Sequence, residues 1–197
     1  MYTDCWEFVK FEEVIIVYEK EIEVPEGVSV EVEGSKVRVS GPKGQVERTL
    51  KGLRDIKIEV AEKKVKVSAE SDKRKIKSIV GTIVAHIGNM AKGVTKGYIY
   101  KLRLIYAHFP VTLKVESDKI LIQNFLGEKT PRVAKIVGDT KVEVKGADIT
   151  LRGISKEDVG QTAANLETAT QIKKYSRKVF QDGIYIVEKE AEEKEGV

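Results

Sequence analysis

Apolar and polar residues alternate through most of this chain, and the alternating segments come in similar pairs. Residues 28–44 read VSVEVEGSKVRVSGPKG, and residues 111–127 read VTLKVESDKILIQNFLG. Alternation interrupted by a short polar break is typical of two strands joined by a tight turn, so each segment is predicted to form a β-hairpin. Placing Val28 on Val111 gives an offset of 83 residues, and this offset also places Gly44 on Gly127.

A second pair of hairpin patterns follows, with a helix pattern after each. Residues 58–68 read IEVAEKKVKVS and residues 142–152 read VEVKGADITLR, an offset of 84 residues. Ser71 is the candidate N-cap of the first helix and Gly93 its candidate C-terminal stop, whereas the sequence SKED from Ser155 is close to a capping box. The apolar positions at helical spacing are Ile76, Ile79, Val80, Ile83, Val84, Ile87 and Met90 in the first helix, and Val159, Ala163, Leu166 and Ala169 in the second.

The repeated order predicts an internal duplication. Each copy is predicted to contain a hairpin, a connecting strand, a second hairpin and a helix. The fold class is therefore α+β, with two tandem copies of one small domain, each an antiparallel β-sheet packed against one α-helix. We place an N-terminal extension at residues 1–20, the first repeat at 21–96, the second repeat at 97–187 and an acidic tail at 188–197. In the first helix, Ile79, Val80, Ile83 and Ile87 are predicted to be buried against the sheet.

Composition narrows the class of protein. The 197 residues have 41% hydrophobic and 34% charged side chains, a net charge of +4 and one cysteine. This composition is typical of a globular chain, and the single cysteine rules out an internal disulfide. The longest apolar run, VIIVY at residues 14–18, is too short to span a bilayer and is better interpreted as a buried strand than as part of a signal peptide.

No combination of residues predicts catalysis or a cofactor. Two histidines, His86 and His108, and one cysteine, Cys5, are too few for an ordinary structural zinc site. The GPKG sequence at residues 41–44 lacks the Lys-Ser/Thr ending of a phosphate-binding loop, and turn chemistry explains its glycines. We therefore expect no enzymatic activity, no metal, no cofactor and no small-molecule substrate.

The basic residues are concentrated in particular segments. Residues 71–103 contain eight cations against one acid, residues 171–185 four cations against one acid, and the last ten residues five glutamates against two lysines. Segregated positive charge is what a phosphate-binding surface requires, although a solvated helix face with an acidic tail would give the same pattern. The hairpin strands VRV and ILI carry no aromatic residues, which argues against base stacking on the sheet and favours contacts from loops and chain ends to folded RNA.

Several longer motifs resemble one known family. The segment IEVPEGVSVEVEGSKVRVSGPKGQVER is similar to the opening of large-subunit ribosomal protein six, the universal L-six family. The segments YAHFP, NFLGEK, GISKEDVGQTAANLE and RKVFQDGIYI resemble the archaeal and eukaryotic branch of that family. The resemblance extends from about residue 20 to residue 187. Members of the bacterial branch have a basic segment with a proline after the second helix, whereas here KKYSRKVFQDGIYI is basic without a proline.

The resemblance implies a structural constituent of the large ribosomal subunit, located in the cytoplasm and active in translation. It implies binding to large-subunit rRNA, mainly through the second repeat, near the stalk base and the sarcin-ricin loop where translation factors dock. Neighbouring ribosomal proteins would be further partners, and no membrane would be involved. The implied RNA-binding residues lie in the second repeat and the basic segment after it: His108, Lys129, Arg132, Gln161, Asn165, Lys173, Lys174, Tyr175, Arg177 and Lys178.

Two alternatives are consistent with the residues considered without the resemblance. The chain could be a protein-interaction adaptor that uses paired small domains, or an enzyme, for which the sequence provides no catalytic constellation. Retention in the large subunit through a high-salt wash would favour the ribosomal interpretation over the adaptor.

Overall fold

The computed structural model describes residues 18–50, 52, 56–61, 64–71, 73–107, 109–173, 176 and 179–190. The apolar run at residues 14–18 thus lies almost wholly outside the described residues. In the first half, six strands precede one long helix: β1 (Tyr18–Glu23), β2 (Ser29–Glu33), β3 (Lys36–Gly41), β4 (Gly44–Thr49), β5 (Ile56–Ala61), β6 (Lys64–Ala69) and α1 (Arg74–Thr95).

The second half has the same order of elements and one further strand. Its elements are β7 (Tyr98–Ile105), β8 (Thr112–Val115), β9 (Lys119–Gln123), a short 3-10 turn (Phe125–Gly127), β10 (Arg132–Lys135), β11 (Lys141–Lys145), β12 (Asp148–Gly153), α2 (Lys156–Ala169) and β13 (Gly183–Glu190). The predicted series of hairpin, connecting strand, hairpin and helix is confirmed in both halves. Strands β1 and β7, which precede the hairpins, and strand β13 were not predicted.

The strand order is the same in the two halves, so they share one fold. Strands β2-β3-β4 form one sheet and β1-β6-β5 another; their counterparts are β8-β9-β10 and β7-β12-β11, with β13 added beside β7. Every pairing is antiparallel, and the α+β class is confirmed. Each copy thus divides its strands between two sheets. We call the first copy, β1 to α1, unit 1, and the second, β7 to β13, unit 2.

The register supports the 83-residue offset and shows where it changes. Val30 pairs with Val39 in unit 1, and Leu113 pairs with Ile122 in unit 2. In the next strand pair, Val37 faces Arg48 whereas Ile120 faces Ala134. Ile120 lies 83 residues after Val37, but Ala134 lies 86 residues after Arg48. The alignment of Gly44 with Gly127 is therefore wrong. In unit 1, β4 follows β3 after a two-residue turn, whereas the turn at Phe125–Gly127 lengthens the connection in unit 2.

Each helix contributes an apolar stripe to a separate core. In α1, Val80, Ile83 and Ile87 are buried as predicted, whereas Ile79 is only half-buried because it lies at the margin of the stripe. In α2, Val159, Ala163 and Leu166 pack with Leu102, Ile122, Phe125 and Ile184. Tyr98 and Tyr100 are also buried in this second core, and burial raises the pKa of the Tyr98 hydroxyl to about 12.

The N-terminus of α2 is where the sequence predicts it, whereas both ends of α1 differ from the prediction. Ser155 is the N-cap of α2, and its Oγ accepts a hydrogen bond from the Asp158 backbone N–H at 3.3 Å. Ser71 is not the N-cap of α1, because the helix begins after Lys73, whose side chain makes no capping hydrogen bond. Gly93 does not end α1 either, since the helix continues to Thr95 and Gly97, at φ +85°, follows it.

Close packing against unit 2 explains the glycine at position 93. A Cβ there would overlap the carbonyl oxygen of Ile154 and would lie 3.1 Å from Cε2 of Tyr98. The Ile154 side chain packs against the core of unit 1, although Ile154 belongs to unit 2. The glycine thus allows the backbone before α2 to contact the last turn of α1.

Candidate nucleic-acid interface

The ten residues implied by the family resemblance are divided between described and undescribed parts of the chain. His108, Lys174, Tyr175, Arg177 and Lys178 lie outside the described residues. The remaining five, Lys129, Arg132, Gln161, Asn165 and Lys173, lie in unit 2, on or beside the loop after β9, strand β10 and helix α2. Hydrogen bonds link Arg132, Gln161 and Asn165 to α2 or to the residues that follow it, and Lys173 follows α2 directly. Lys129 lies in the loop after β9.

Arg132 is the most extensively bonded of them. Its Nε and Nη2 donate to the Glu128 carboxylate at 2.8 and 2.6 Å, and its Nη1 donates to the carbonyls of Ala169 and Gln171 at 3.0 and 3.1 Å. The guanidinium carbon also lies 4.5 Å from the centre of the Phe125 ring. The hydrogen bond with Glu128 raises the pKa of Arg132. Because these donors are already engaged, Arg132 joins the loop after β9 to the end of α2 within the protein itself.

Gln161 and Asn165 form a polar pair on successive turns of α2. Gln161 Nε2 donates to Asn165 Oδ1 at 2.9 Å, and Asn165 Nδ2 donates to the carbonyl of Lys135 at 2.9 Å. The second bond ties α2 to strand β10. The first links the exposed Gln161 to Asn165, whose other amide atom is bonded to the backbone of Lys135.

A cleft of about 380 Å³ lies beside the Arg132 contacts, between the loop after β9 and the residues that follow α2. Lys173 lines this cleft together with Glu128 and Gln171. Lys129 follows Glu128 directly, and both Lys129 and Lys173 are exposed. We use the name α2-end surface for the region formed by Lys129, Lys135, Gln161 and Lys173. Because Arg132 already neutralises Glu128, this surface carries net positive charge.

The loop that carries Lys129 has an unusual backbone. Asn124 and Leu126 adopt left-handed conformations at φ +59° and +52°, and leucine rarely does so. The Phe125 side chain between them is fully buried, and Asn124 Nδ2 donates to the Pro110 carbonyl at 3.0 Å. Burial of Phe125 and this hydrogen bond hold the loop in a conformation that its sequence alone would disfavour.

Charged groups also join the two units, and sequence reasoning did not predict this cluster. Glu157, in the first turn of α2, accepts a hydrogen bond from Arg48 of β4, and its Oε1 lies 3.3 Å from Nδ1 of His86 in α1. Burial raises the pKa of Glu157, but the hydrogen bond from Arg48, a backbone hydrogen bond and the nearby positive charges outweigh burial and lower the pKa below its usual 4.5. Because the partners are 109 residues apart, local patterns could not have indicated the pair.

Within the described ranges, no group of three or more His, Cys, Asp or Glu side chains is arranged to hold a metal ion. No helix in the part of the chain that the structure describes is long and apolar enough to cross a membrane.

The chain matches the sequence model of a family described as ribosomal protein L6, over residues 24–97 and again over residues 109–183. It is also similar to proteins described as large ribosomal subunit protein uL6. That of Methanosarcina mazei is 53% identical over 168 residues, which cover 85% of this chain and 95% of that protein. That of Staphylothermus marinus is 53% identical over 173 residues, which cover 86% of this chain and 93% of that protein. That of Archaeoglobus fulgidus is 49% identical over 190 residues, which cover 93% of this chain and 96% of that protein.

Proposed function

Because the chain belongs to the ribosomal protein L6 family, we propose that it binds large-subunit rRNA through unit 2, near the stalk base and the sarcin-ricin loop. At a coarser level, it is a structural constituent of the large ribosomal subunit, it acts in translation in the cytoplasm, and it is not an enzyme. Its partners are rRNA and other ribosomal proteins. Translation factors that dock beside the sarcin-ricin loop would be neighbours under this proposal.

The observation that supports binding through unit 2 is the α2-end surface. Three exposed lysines stand on three different segments: Lys129 in a loop, Lys135 on β10 and Lys173 after α2. Lysine supplies a mobile point charge, which suits contact with the phosphate backbone of a folded RNA. Gln161 adds an amide at the same surface that can bond to a sugar or a base edge.

The rigid contacts beneath the lysines add to this support. Arg132 connects the loop carrying Lys129 to Gln171, two residues before Lys173, and Asn165 connects α2 to the backbone of Lys135. The three ammonium groups are therefore carried on a backbone that hydrogen bonds hold together. Such preorganisation lowers the entropic cost of binding a structured ligand.

Protein–RNA crosslinking within isolated large subunits tests the proposal. We expect rRNA crosslinks in peptides containing Lys129, Lys135 or Lys173, and we expect the protein to remain in the subunit through a high-salt wash. Crosslinks confined to unit 1, or release of the protein together with loosely bound adaptors, would contradict binding through unit 2. Mapping the crosslinked nucleotides tests the expected position near the stalk base. The domain boundaries at residues 21–96 and 97–187 stay predictions, which limited proteolysis can check.

A further inference from the structure

The outer face of the four-stranded sheet in unit 2 carries an exposed aromatic ring on its last strand. Tyr185 of β13 pairs with Arg103 of β7, which pairs with Asp148 of β12, and Asp148 pairs with Lys145 of β11. Side chains of directly opposed residues point to the same face of a sheet, so these four form one row across all four strands. The hairpin strands carry no aromatic residue, but β13, which was not predicted, adds one to the sheet.

Contacts with its own strand hold the Tyr185 ring in place. Its hydroxyl group donates to the Gln181 carbonyl at 3.2 Å, and a Cβ added to Gly183 would lie 3.3 Å from Cε2 of the ring. One side of the ring therefore lies over the Gly183 backbone. Because Tyr185 is 41% exposed, the other side of the ring faces solvent. An aromatic ring that is already held in position loses little conformational entropy when a second ring stacks on it.

Ile105 extends the apolar surface beside the ring. It lies directly opposite Gly183 in the strand pairing, and its side chain is also exposed. Because the Tyr185 ring covers Gly183, the ring and the Ile105 side chain lie next to each other on the outer face of the sheet. We call Ile105 and Tyr185 the stacking patch. It combines an apolar surface with a cation, since Arg103 stands directly opposite Tyr185.

The charges in this row favour RNA over the apolar surface of another protein as the ligand of the patch. The exposed cations Arg103 and Lys145 stand in the row against one acid, Asp148. Arg103 Nε donates to the Asp148 carboxylate at 2.9 Å, but both side chains are more exposed than buried, and such a surface ion pair contributes little stability. A phosphate can therefore compete for Arg103. The core of a protein–protein interface is depleted of charged residues, whereas every base of an RNA is accompanied by a phosphate.

The patch is connected to the α2-end surface. Tyr185 lines a cleft of about 470 Å³, and Gln171 and Ile172, which follow α2, line it as well. The same two residues line the cleft that contains Lys173. The two clefts therefore share a wall, and an RNA strand whose phosphates contact Lys173 can place a base at Tyr185.

We propose that Tyr185 stacks an unpaired base of large-subunit rRNA on the exposed side of its ring. The proposal rests on the proposed function, since it assumes that the protein binds large-subunit rRNA through unit 2. It adds the class of ligand at this end of the unit, a base that is not stacked within the RNA itself, as in a loop or a bulge. Stacking accepts any base, because every base has an aromatic face. The exposed Gln171 and Gln181 line the same cleft and can bond to a base edge.

The test compares three substitutions at Tyr185 in the full-length protein. Tyr185→Phe keeps the ring and is the matched control, Tyr185→Leu keeps an apolar side chain without a ring, and Tyr185→Ala removes both. The probe is a large-subunit rRNA transcript that contains the stalk base and the sarcin-ricin loop, titrated at several salt concentrations. We expect Tyr185→Phe to bind like the wild type, and the leucine and alanine variants to bind about fivefold to 150-fold more weakly, the range for loss of one stacked base. The slope of log affinity against log salt should not change, because no cation is removed.

Two further measurements keep the result independent of folding. Thermal unfolding of Tyr185→Leu should show little change in melting temperature, because the side chain is exposed on the outer face of the sheet. Ultraviolet crosslinking of isolated wild-type large subunits requires no substitution, and we expect a base joined to Tyr185. Wild-type RNA affinity of the Tyr185→Leu variant, or the absence of a base crosslinked to Tyr185, would overturn the proposal.

A double variant, Lys129→Gln with Lys173→Gln, separates failure of this proposal from failure of the proposed function. If the double variant weakens binding and flattens the salt slope while Tyr185→Leu binds like the wild type, the α2-end surface binds RNA and the stacking proposal is overturned. If Tyr185→Leu binds RNA normally and Lys189 of β13 crosslinks to another ribosomal protein within the subunit, the patch is a protein contact, and the stacking proposal is again overturned. If the wild-type protein shows no salt-dependent binding to the transcript, both proposals are overturned.

Discussion

Arg132 holds the carboxylate of Glu128 with two hydrogen bonds while its third nitrogen donates to the carbonyls of Ala169 and Gln171. Two segments that are far apart along the chain are thus joined by one planar side chain. A lysine at this position could not reproduce the paired bonds and the two carbonyl contacts together. The arrangement makes Arg132 a structural support for the proposed RNA-binding surface.

Replacing Arg132 with lysine should therefore destabilise unit 2. We expect a loss of about 1–3 kcal/mol in the free energy of unfolding, because hydrogen bonds to a charged group are removed and two carbonyls lose their donor. Urea denaturation of the variant measures this loss. The matched control is Lys129→Gln in the same loop, which should change stability by no more than about 0.5 kcal/mol. Equal stability of the Arg132→Lys variant and the wild type would contradict the structural role of Arg132.

Two glycines in α1 should respond in opposite ways to alanine. At Gly81 an added Cβ meets nothing within 4 Å, so Gly81→Ala should stabilise the helix by about 0.5–1 kcal/mol. At Gly93 the Cβ would overlap the Ile154 carbonyl oxygen, so Gly93→Ala should destabilise the protein by about 1–3 kcal/mol. Thermal or urea unfolding of the two variants checks the signs. A stabilising effect at both positions would mean that the units do not pack closely in solution.

The apolar stripe of α1 provides a third test. Ile83 is 2% exposed in the core of unit 1, and Ile83→Ala should cost about 2–5 kcal/mol of unfolding free energy. Ile79, at the margin of the same stripe, is half-buried, and Ile79→Ala should cost clearly less. A loss under about 0.5 kcal/mol for Ile83→Ala would place this residue on the surface and contradict the helix orientation.

Periodicity was sufficient to predict most of the elements, because each hairpin and helix buries one face and the pattern of buried residues repeats with the element's own period. Strands β1, β7 and β13 were not predicted, although β7 carries the signal, since buried Leu102 and Leu104 alternate with exposed Lys101 and Arg103. What no local pattern indicates is the distant pairing of β1 with β6 and of β13 with β7. The same limit applies to Gly93. A glycine near the end of a helix pattern normally indicates a C-terminal stop, and only the contact with Ile154 shows why it lies inside the helix.

Some contacts between charged residues follow from the local sequence, whereas others depend on residues that are distant along the chain. Lys141 of β11 lies opposite Arg152 of β12, and this register follows from the turn at Gly146, so the hairpin sequence alone could have indicated it. The pairing of Arg48 with Glu157 depends on how the two units meet, which no local pattern encodes. For Arg132, the sequence resemblance pointed to RNA binding, whereas the structure shows its donors bonded within the protein.

The basic segment after α2 remains a sequence-based candidate for RNA contact. Replacing Lys173, Lys174, Arg177 and Lys178 with glutamine should weaken binding to a large-subunit RNA fragment and flatten its salt dependence by up to about 0.9 per phosphate that is no longer neutralised. We expect Arg177 to be the most sensitive to geometry, because arginine can bind a phosphate or a guanine edge with two hydrogen bonds. Affinity measured over a salt series checks the prediction.

A purely structural role for the same cations would give a different result. Cations near the end of a helix favour its C-terminus by about 0.3–1 kcal/mol each at most. Loss of that effect would lower the melting temperature but leave the salt slope unchanged. An unchanged slope together with unchanged affinity would remove this segment from the binding surface.

The contact between the units should make stability depend on pH through Glu157. Its pKa is lowered in the folded protein, so its stabilising contribution is complete above the unfolded value near 4.5 and is lost as the pH falls through the folded pKa. Glu157→Gln removes this contribution, which we expect to be about 0.5–1 kcal/mol because the carboxylate is partly exposed. Urea unfolding at several pH values should show a constant difference between the two proteins at neutral pH, which narrows as the pH falls below the unfolded value and through the lowered pKa of Glu157. A difference that persists at the lowest pH would contradict an electrostatic origin.

The position of Ile154 against the core of unit 1 has a consequence for how a growing chain folds. Unit 1 leaves the ribosome first during synthesis, at a time when Ile154 has not yet been added. A nascent chain that stops at the end of α1 therefore lacks one of the apolar side chains that cover its own core. Vectorial synthesis thus leaves the first copy incompletely packed until the second copy has been translated as far as the start of α2. The packing of the first copy is thus completed by a residue of the second.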